Sequence, residues 1–167
     1  MAIAVVSVVV FPGIDALISC GLGWTLLTLA LIDLRHHILP DALTLPLAAA
    51  GLGTVWPRGG AALLDHALGS AAGLLIFLAI SYIYQRLRDR EGLGIGDAKL
   101  LAAGGAWVAW QGLASVVLIA SAVALAVTII QATRGGVRIQ ATTRIPFGLY
   151  LGPAIWLVWL VGPINLG

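Results

Sequence analysis

The sequence predicts an all-α, polytopic membrane protein of about six transmembrane helices, preceded by a short N-terminal apolar segment. Three observations carry this expectation. The 167-residue chain is 60% hydrophobic and 10% charged, whereas an ordinary soluble domain carries roughly 25% charged residues. Its mean hydropathy is +1.05, which suits lipid as solvent. Its few charged residues cluster with Pro and Gly between long apolar runs. At this length a single domain over residues 1–167 is expected.

The elements follow from the punctuation. The opening apolar run, residues 2–11, would cover about 15 Å as a helix against a hydrocarbon core of about 30 Å, too little to span. It reads as an interfacial segment or the remainder of a longer span. No basic residue precedes it, so it does not look like a cleaved signal peptide. Span 1 is expected over 14–34, ending in the polar turn Arg35, His36, His37, Pro40 and Asp41. Span 2, short, covers 42–56, closed by Trp56, Pro57, Arg58, Gly59 and Gly60. Span 3 covers 62–84 and leads into the polar stretch QRLRDREGLGIGD. Span 4 covers 97–110. Gly112 marks the expected turn into span 5, over 113–132, and the loop TRGGVRIQATTRIP leads to span 6, over 147–164. Gly69, Gly73, Gly104 and Gly105 suit close helix packing. Trp24, Trp56, Trp110, Trp156 and Trp159 are partly explained as interfacial anchors.

Charge orients the spans. With six alternating crossings, Arg35, Arg86, Arg88, Arg90, Lys99, Arg134, Arg138 and Arg144 fall on one side and only Arg58 on the other. Lys and Arg accumulate in cytoplasmic loops, so the larger group predicts the cytoplasmic face. The basic residues are few and lie between apolar runs, unlike a nucleic-acid-binding patch. The lone cysteine, Cys20, excludes an internal disulfide, a zinc ribbon and a Cys-x-x-Cys redox site. His36 and His37 are adjacent and would not share a helix face, and His66 falls on the other side of the membrane, so no metal site is expected.

The chemistry rests on two acidic residues. Asp33 ends span 1 and Asp97 opens span 4, both on the predicted cytoplasmic side. An ionisable group at the edge of an apolar span is costly and suggests function. Two carboxylates brought together in a partly dry site share a proton. One then activates water while the other polarises a scissile carbonyl, with neither metal nor covalent intermediate. The two lie in opposite dipole fields of their own helices, Asp33 at a negative end and Asp97 at a positive one. They are therefore expected to hold that proton unequally. Gly92, Gly94 and Gly96 before Asp97 permit close approach of an extended backbone.

The combined motifs resemble the prepilin peptidases, or type IV leader peptidases, of the GxGD class of membrane aspartic proteases. IDLRHHILPDALTLPL (32–47) is similar to the family's Asp, Leu-Pro-Asp and Leu-Thr-Leu-Pro pattern. REGLGIGDAKLLAAGGAWVAWQGL (90–113) is similar to its GxGD–Lys-Leu block, and RIPFG (144–148) to its Ile-Pro-Phe-Gly near the last span. The two aspartates stand 64 residues apart, from position 33 to position 97, a separation typical of the family.

The resemblance implies an aspartic endopeptidase in the bacterial inner membrane. It would remove the basic leader from prepilins or pseudopilins of type IV pili or type II secretion, at the cytoplasmic face. Asp33 and Asp97 would be its catalytic pair. Gly94, Gly96, Lys99, Asp41 and Pro40 are candidates for supporting roles. Asp41 is also placed to cap span 2, and Lys99 to meet substrate, lipid phosphate or another carboxylate. Asp89 and Glu91 are candidate contacts for a basic leader. Larger family members carry two Cys-x-x-Cys pairs in an N-terminal segment and methylate the new N-terminus. That segment is not in this sequence, so cleavage without N-methylation, with no S-adenosylmethionine site and no cofactor, is expected.

Two other classes compete. A presenilin-like or signal-peptide-peptidase-like protease shares the aspartate chemistry but not the LPDALTLP block. A small proton- or cation-coupled transporter using the same aspartates would suit short, Gly-interrupted spans but not the ordered motifs.

Overall fold

The computed structural model describes residues 1–11, 13–88, 94–133 and 146–163. Among them the fold is all-α. The elements are α1 (Ala2–Val10), α2 (Ile14–His36), α3 (Asp41–Val55), a 3₁₀ turn at Trp56–Arg58, α4 (Gly60–Arg88), α5 (Ile95–Thr133) and α6 (Gly148–Val161). Three of them, Ile14–His36, Gly60–Leu87 and Ile95–Thr133, are long and apolar enough to cross a membrane, and α6 is a shorter apolar helix. The chain is a polytopic all-α membrane protein.

α1 pairs with α2 as a hairpin. Ser7 Oγ donates to Ser19 Oγ at 3.1 Å, both fully buried, and Ile3 lies against Gly23. These contacts run in opposite directions along the two helices, so α1 docks on α2 rather than lying apart as an interfacial segment. Gly13, at φ 71°, makes the turn between them.

α5 corrects the expected boundary between spans 4 and 5. As one straight rod its 39 residues would reach roughly 58 Å at about 1.5 Å per residue, twice the apolar thickness of a bilayer. Instead it folds back at Ala109 (φ 57°, ψ −179°), three residues before the glycine expected to turn. The first arm, 95–108, runs antiparallel to α4: Gly69 meets Gly105 and Ala109, and Gly73 meets Leu101. The second arm, 110–133, returns along α4, with Trp110 level with Asp65 and Leu125 sharing a groove with Ile80. The reason for the shift is on α4. A Cβ at Gly69 would stand 2.7 Å from the Ala109 carbonyl carbon, the Gly105 carbonyl oxygen and the Trp110 nitrogen. A missing side chain on the neighbouring helix thus makes room for the turn. His66 adds a brace, its Nδ1 lying 2.9 Å from the Ala106 carbonyl oxygen.

The first arm of α5 is the centre of the bundle. α3 reaches it through Gly51, where a Cβ would lie 2.8 Å from the Ala106 oxygen, and the Trp107 indole donates to the Leu47 carbonyl at 2.8 Å. α6 reaches it at Gly104, which receives Ile155. Two tryptophans expected at the interface are half-buried and find partners within the bundle. Trp156 donates to the Ser19 carbonyl at 3.2 Å, and Trp159 stands edge-on to Trp107 with centroids 5.2 Å apart. Trp24, Trp56 and Trp110 are exposed.

The positive φ of Ala109 is strained for an L-residue by about 1–3 kcal/mol. Ala109→Gly is therefore expected to raise the unfolding midpoint in detergent, by about 1 kcal/mol of stability. Gly69→Leu is expected to lower it by more than about 2 kcal/mol, since the displaced atoms are backbone. A lower midpoint for Ala109→Gly would show that the turn is not strained.

Candidate active site

The polar turn after α2 wraps the end of the bundle where Asp33 and Asp97 lie. α2 stops because His37 takes a left-handed conformation (φ 52°, ψ 36°), its N–H returning to the Asp33 carbonyl at 2.8 Å. Pro40 then serves as the N-cap residue of α3, its extended backbone turning the chain into the helix. Between these points Leu39 is buried and fills a space two glycines leave open. A Cβ on Gly96 would stand 3.1 Å from Leu39 Cβ, and one on Gly148 would stand 3.2 Å from Leu39 Cδ1. The Leu-Pro-Asp stretch is thus a wedge: leucine between two helix starts, proline at the head of a third, aspartate facing outward.

Asp41 does not cap α3, which has no side-chain cap hydrogen bond. Its carboxylate accepts both arms of a forked contact from Lys99 Nζ, at 2.7 and 2.9 Å. Of the three partners open to Lys99, a carboxylate is the one the structure supplies. Lys99 and Asp97 are two residues apart and so point to different faces of the same helical turn. One tethers α3 to α5 while the other faces inward. The pair is largely exposed, with relative accessibilities of 35% and 54%. Its role is therefore alignment rather than bulk stability, since exposed pairs contribute about 0–1 kcal/mol.

Asp33 and Asp97 are both buried, at 6% and 9% exposure, and close enough for their carboxylates to act on each other electrostatically. They meet at the start of α6. The Gly148 backbone amide bears on both carboxylates, the Leu149 amide on Asp33, and the Gly94 backbone on Asp97. A Cβ on Gly148 would stand 2.8 Å from Asp33 Oδ2. The first amides of a helix lack intrahelical partners and carry the positive end of its dipole. The opposed fields expected from α2 and α5 are therefore incomplete, because α6 presents a positive end to both aspartates. Asp33 Oδ2 is buried with no hydrogen-bond partner among the described residues.

Of the residues singled out in the sequence, Asp33, Asp97, Gly94 and Gly96 come together. Pro40, Asp41 and Lys99 form the adjoining frame. Asp89 and Glu91 lie outside the described residues, as do Gly92, Arg90, Arg134, Arg138 and Arg144. Gly148 and His37 were not singled out as site residues. The signal for Gly148 was its place in RIPFG. His37 lies within electrostatic range of Asp33, and its left-handed backbone leaves no mark in the sequence. Among the described residues no cluster of three His, Cys, Asp or Glu side chains is placed to hold a metal.

Comparison with known proteins fits this arrangement. The chain is 41% identical over 140 residues to a prepilin leader peptidase/N-methyltransferase of Burkholderia pseudomallei (strain 1026b), covering 84% of this chain and 45% of the relative. It is 38% identical over 160 residues to that of Aeromonas hydrophila, covering 94% and 53%. It is 39% identical over 142 residues to that of Pseudomonas aeruginosa PAO1, covering 84% and 48%. The chain thus spans about half the length of these relatives. No solved structure matches it. The pattern that defines the type IV leader peptidase family covers residues 20–129, from within α2 to the end of α5, and the chain belongs to that family.

Proposed function

We propose that the chain is a membrane aspartic endopeptidase that removes the basic leader from prepilins or pseudopilins, with Asp33 and Asp97 as its catalytic pair. The observation that carries this reading is the convergence of two buried carboxylates, 64 residues apart in sequence, at the end of the bundle where Gly148 begins a third helix. One carboxylate takes a proton from a water molecule as that water attacks the scissile carbonyl. The other donates its proton to the carbonyl oxygen, and the tetrahedral species collapses with a proton passing to the leaving amine. The absence of a side chain at Gly148 lets the start of α6 approach Asp33. Gly94 places no side chain beside Asp97 Oδ2, as the approach of an extended peptide requires, while Gly96 makes room for Leu39. Asp41 and Lys99 fix the Leu39 wedge against the site.

The eight-to-one division of Lys and Arg read from the sequence supports a bacterial inner-membrane enzyme acting at the cytoplasmic face. Asp89 and Glu91, in the loop before Asp97, would meet the basic leader. The prepilin named for the relatives is the natural substrate class.

Leader removal from a co-expressed prepilin tests the reading. Asp33→Asn and Asp97→Asn are each expected to cut the rate by at least about 10²–10⁴-fold, the usual contribution of a general acid or base, with the protein still in the membrane. Retained cleavage in either variant removes that residue from the mechanism. Gly148→Val places a side chain against Asp33 Oδ2 and is expected to abolish cleavage, with Gly148→Ala intermediate. Wild-type rates in Gly148→Val would separate α6 from the chemistry. Lys99→Met and Asp41→Asn are expected to slow cleavage by similar factors, and the double variant no further, because they break one contact. Additive losses would show separate roles.

A further inference from the structure

Beside the aspartate pair, on the face formed by α4 and the second arm of α5, lies a groove of about 770 Å³. Its floor is Leu101 and Phe77, both buried, and its rims are the exposed side chains of Ile76, Ile80, Leu118 and Leu125. Its lining is apolar apart from the hydroxyl of Ser121 and the indole of Trp110.

We infer that this groove seats the apolar helix of the substrate, the segment immediately following the cleaved bond. The inference rests on the leader-peptidase reading and specifies how that substrate is held. Three observations support a helix there. The groove is continuous with the site: Leu101 follows Asp97 by one helical turn on the same face, and Phe77 stacks on Phe147, the residue before Gly148, with centroids 6.1 Å apart. A helix lying in the groove therefore begins beside the carboxylates. The length fits, since the wall from Trp110 to Leu125 spans roughly 22 Å at about 1.5 Å per residue, most of a membrane crossing. The walls also carry Ala72, Gly73, Ala114 and Ala122. In lipid, helices associate by close van der Waals approach over small residues rather than by hydrophobic expulsion. An apolar substrate helix gains such contacts only where the neighbouring surface is concave and small.

The test compares two substrates: a full-length prepilin in membranes, and a short soluble peptide that spans the cleavage site and lacks the apolar helix. Ala114→Trp and Ala122→Trp fill the groove from exposed positions on its wall. They are expected to slow prepilin processing at least about tenfold and to leave peptide cleavage within about twofold. Unchanged prepilin processing in both variants would overturn the inference. Loss of both activities would also count against it, since the groove would then not act on the helix alone. A second measurement is independent of activity. In a Cys20→Ser background, Leu118→Cys is expected to cross-link to a single cysteine placed in the prepilin helix. Leu31→Cys, exposed on α2, is not. Equal cross-linking at both positions, or none at 118, would show a groove occupied only by lipid. Wild-type protein that cuts neither substrate would overturn the leader-peptidase reading itself, and this inference with it.

Discussion

Backbone-to-backbone contact at helix crossings sets the position of everything else in this molecule. Lipid gives apolar surfaces no reason to hide from one another, so helices in it are held by close van der Waals approach and by hydrogen bonds. The first arm of α5 is gripped this way on three sides: by Gly51 of α3, by Gly69 and Gly73 of α4, and at its own Gly104 by Ile155 of α6. Gly105 against Gly69 is the tightest of these contacts. The arm that carries Asp97 at its tip therefore has little freedom to rotate or slide. Precision in the placement of one carboxylate begins with an absence of side chains several turns away.

The opposite wall is fixed by different means. α2 brings Asp33 to the same end of the bundle, and the Leu39 wedge between Gly96 and Gly148 keeps the starts of α5 and α6 apart by one leucine's width. Lys99 and Asp41 close the ring by tying α3 to α5. The sequence motifs that looked like a list of separate residues are one mechanical unit. Leu39 packs against the starts of α5 and α6, Pro40 heads α3 and Asp41 ties α3 to α5, so together they set the spacing of the two acidic groups.

Much of this was legible in the sequence because the bilayer simplifies the reading. Apolar runs of fixed length, interrupted by charge, gave the helices to within a few residues, and the burial cost of an acid at a helix end pointed to Asp33 and Asp97. What the sequence withheld depended on a neighbour. The turn at Ala109 moved away from Gly112 because the required space came from Gly69 on another helix. The contacts of Trp156 with Ser19 and of Trp159 with Trp107 depend on helices far away in sequence. Asp41, read alone, looked like a cap, and only the packing of α3 on α5 brought Lys99 within reach. The field at Asp33 could not be judged from its own helix, since the compensating charge is the first turn of α6, more than a hundred residues later.

That last separation has a consequence for biogenesis. Asp33 is made before Asp97, and the start of α6 that lies beside them is made after both. Chains are made and folded from the N-terminus, so a partly synthesised copy holds both acids without the helix that organises them. The pocket is complete only when α6 docks between α2 and α5. A catalytic pair organised by α6 would stay silent until that helix is in place.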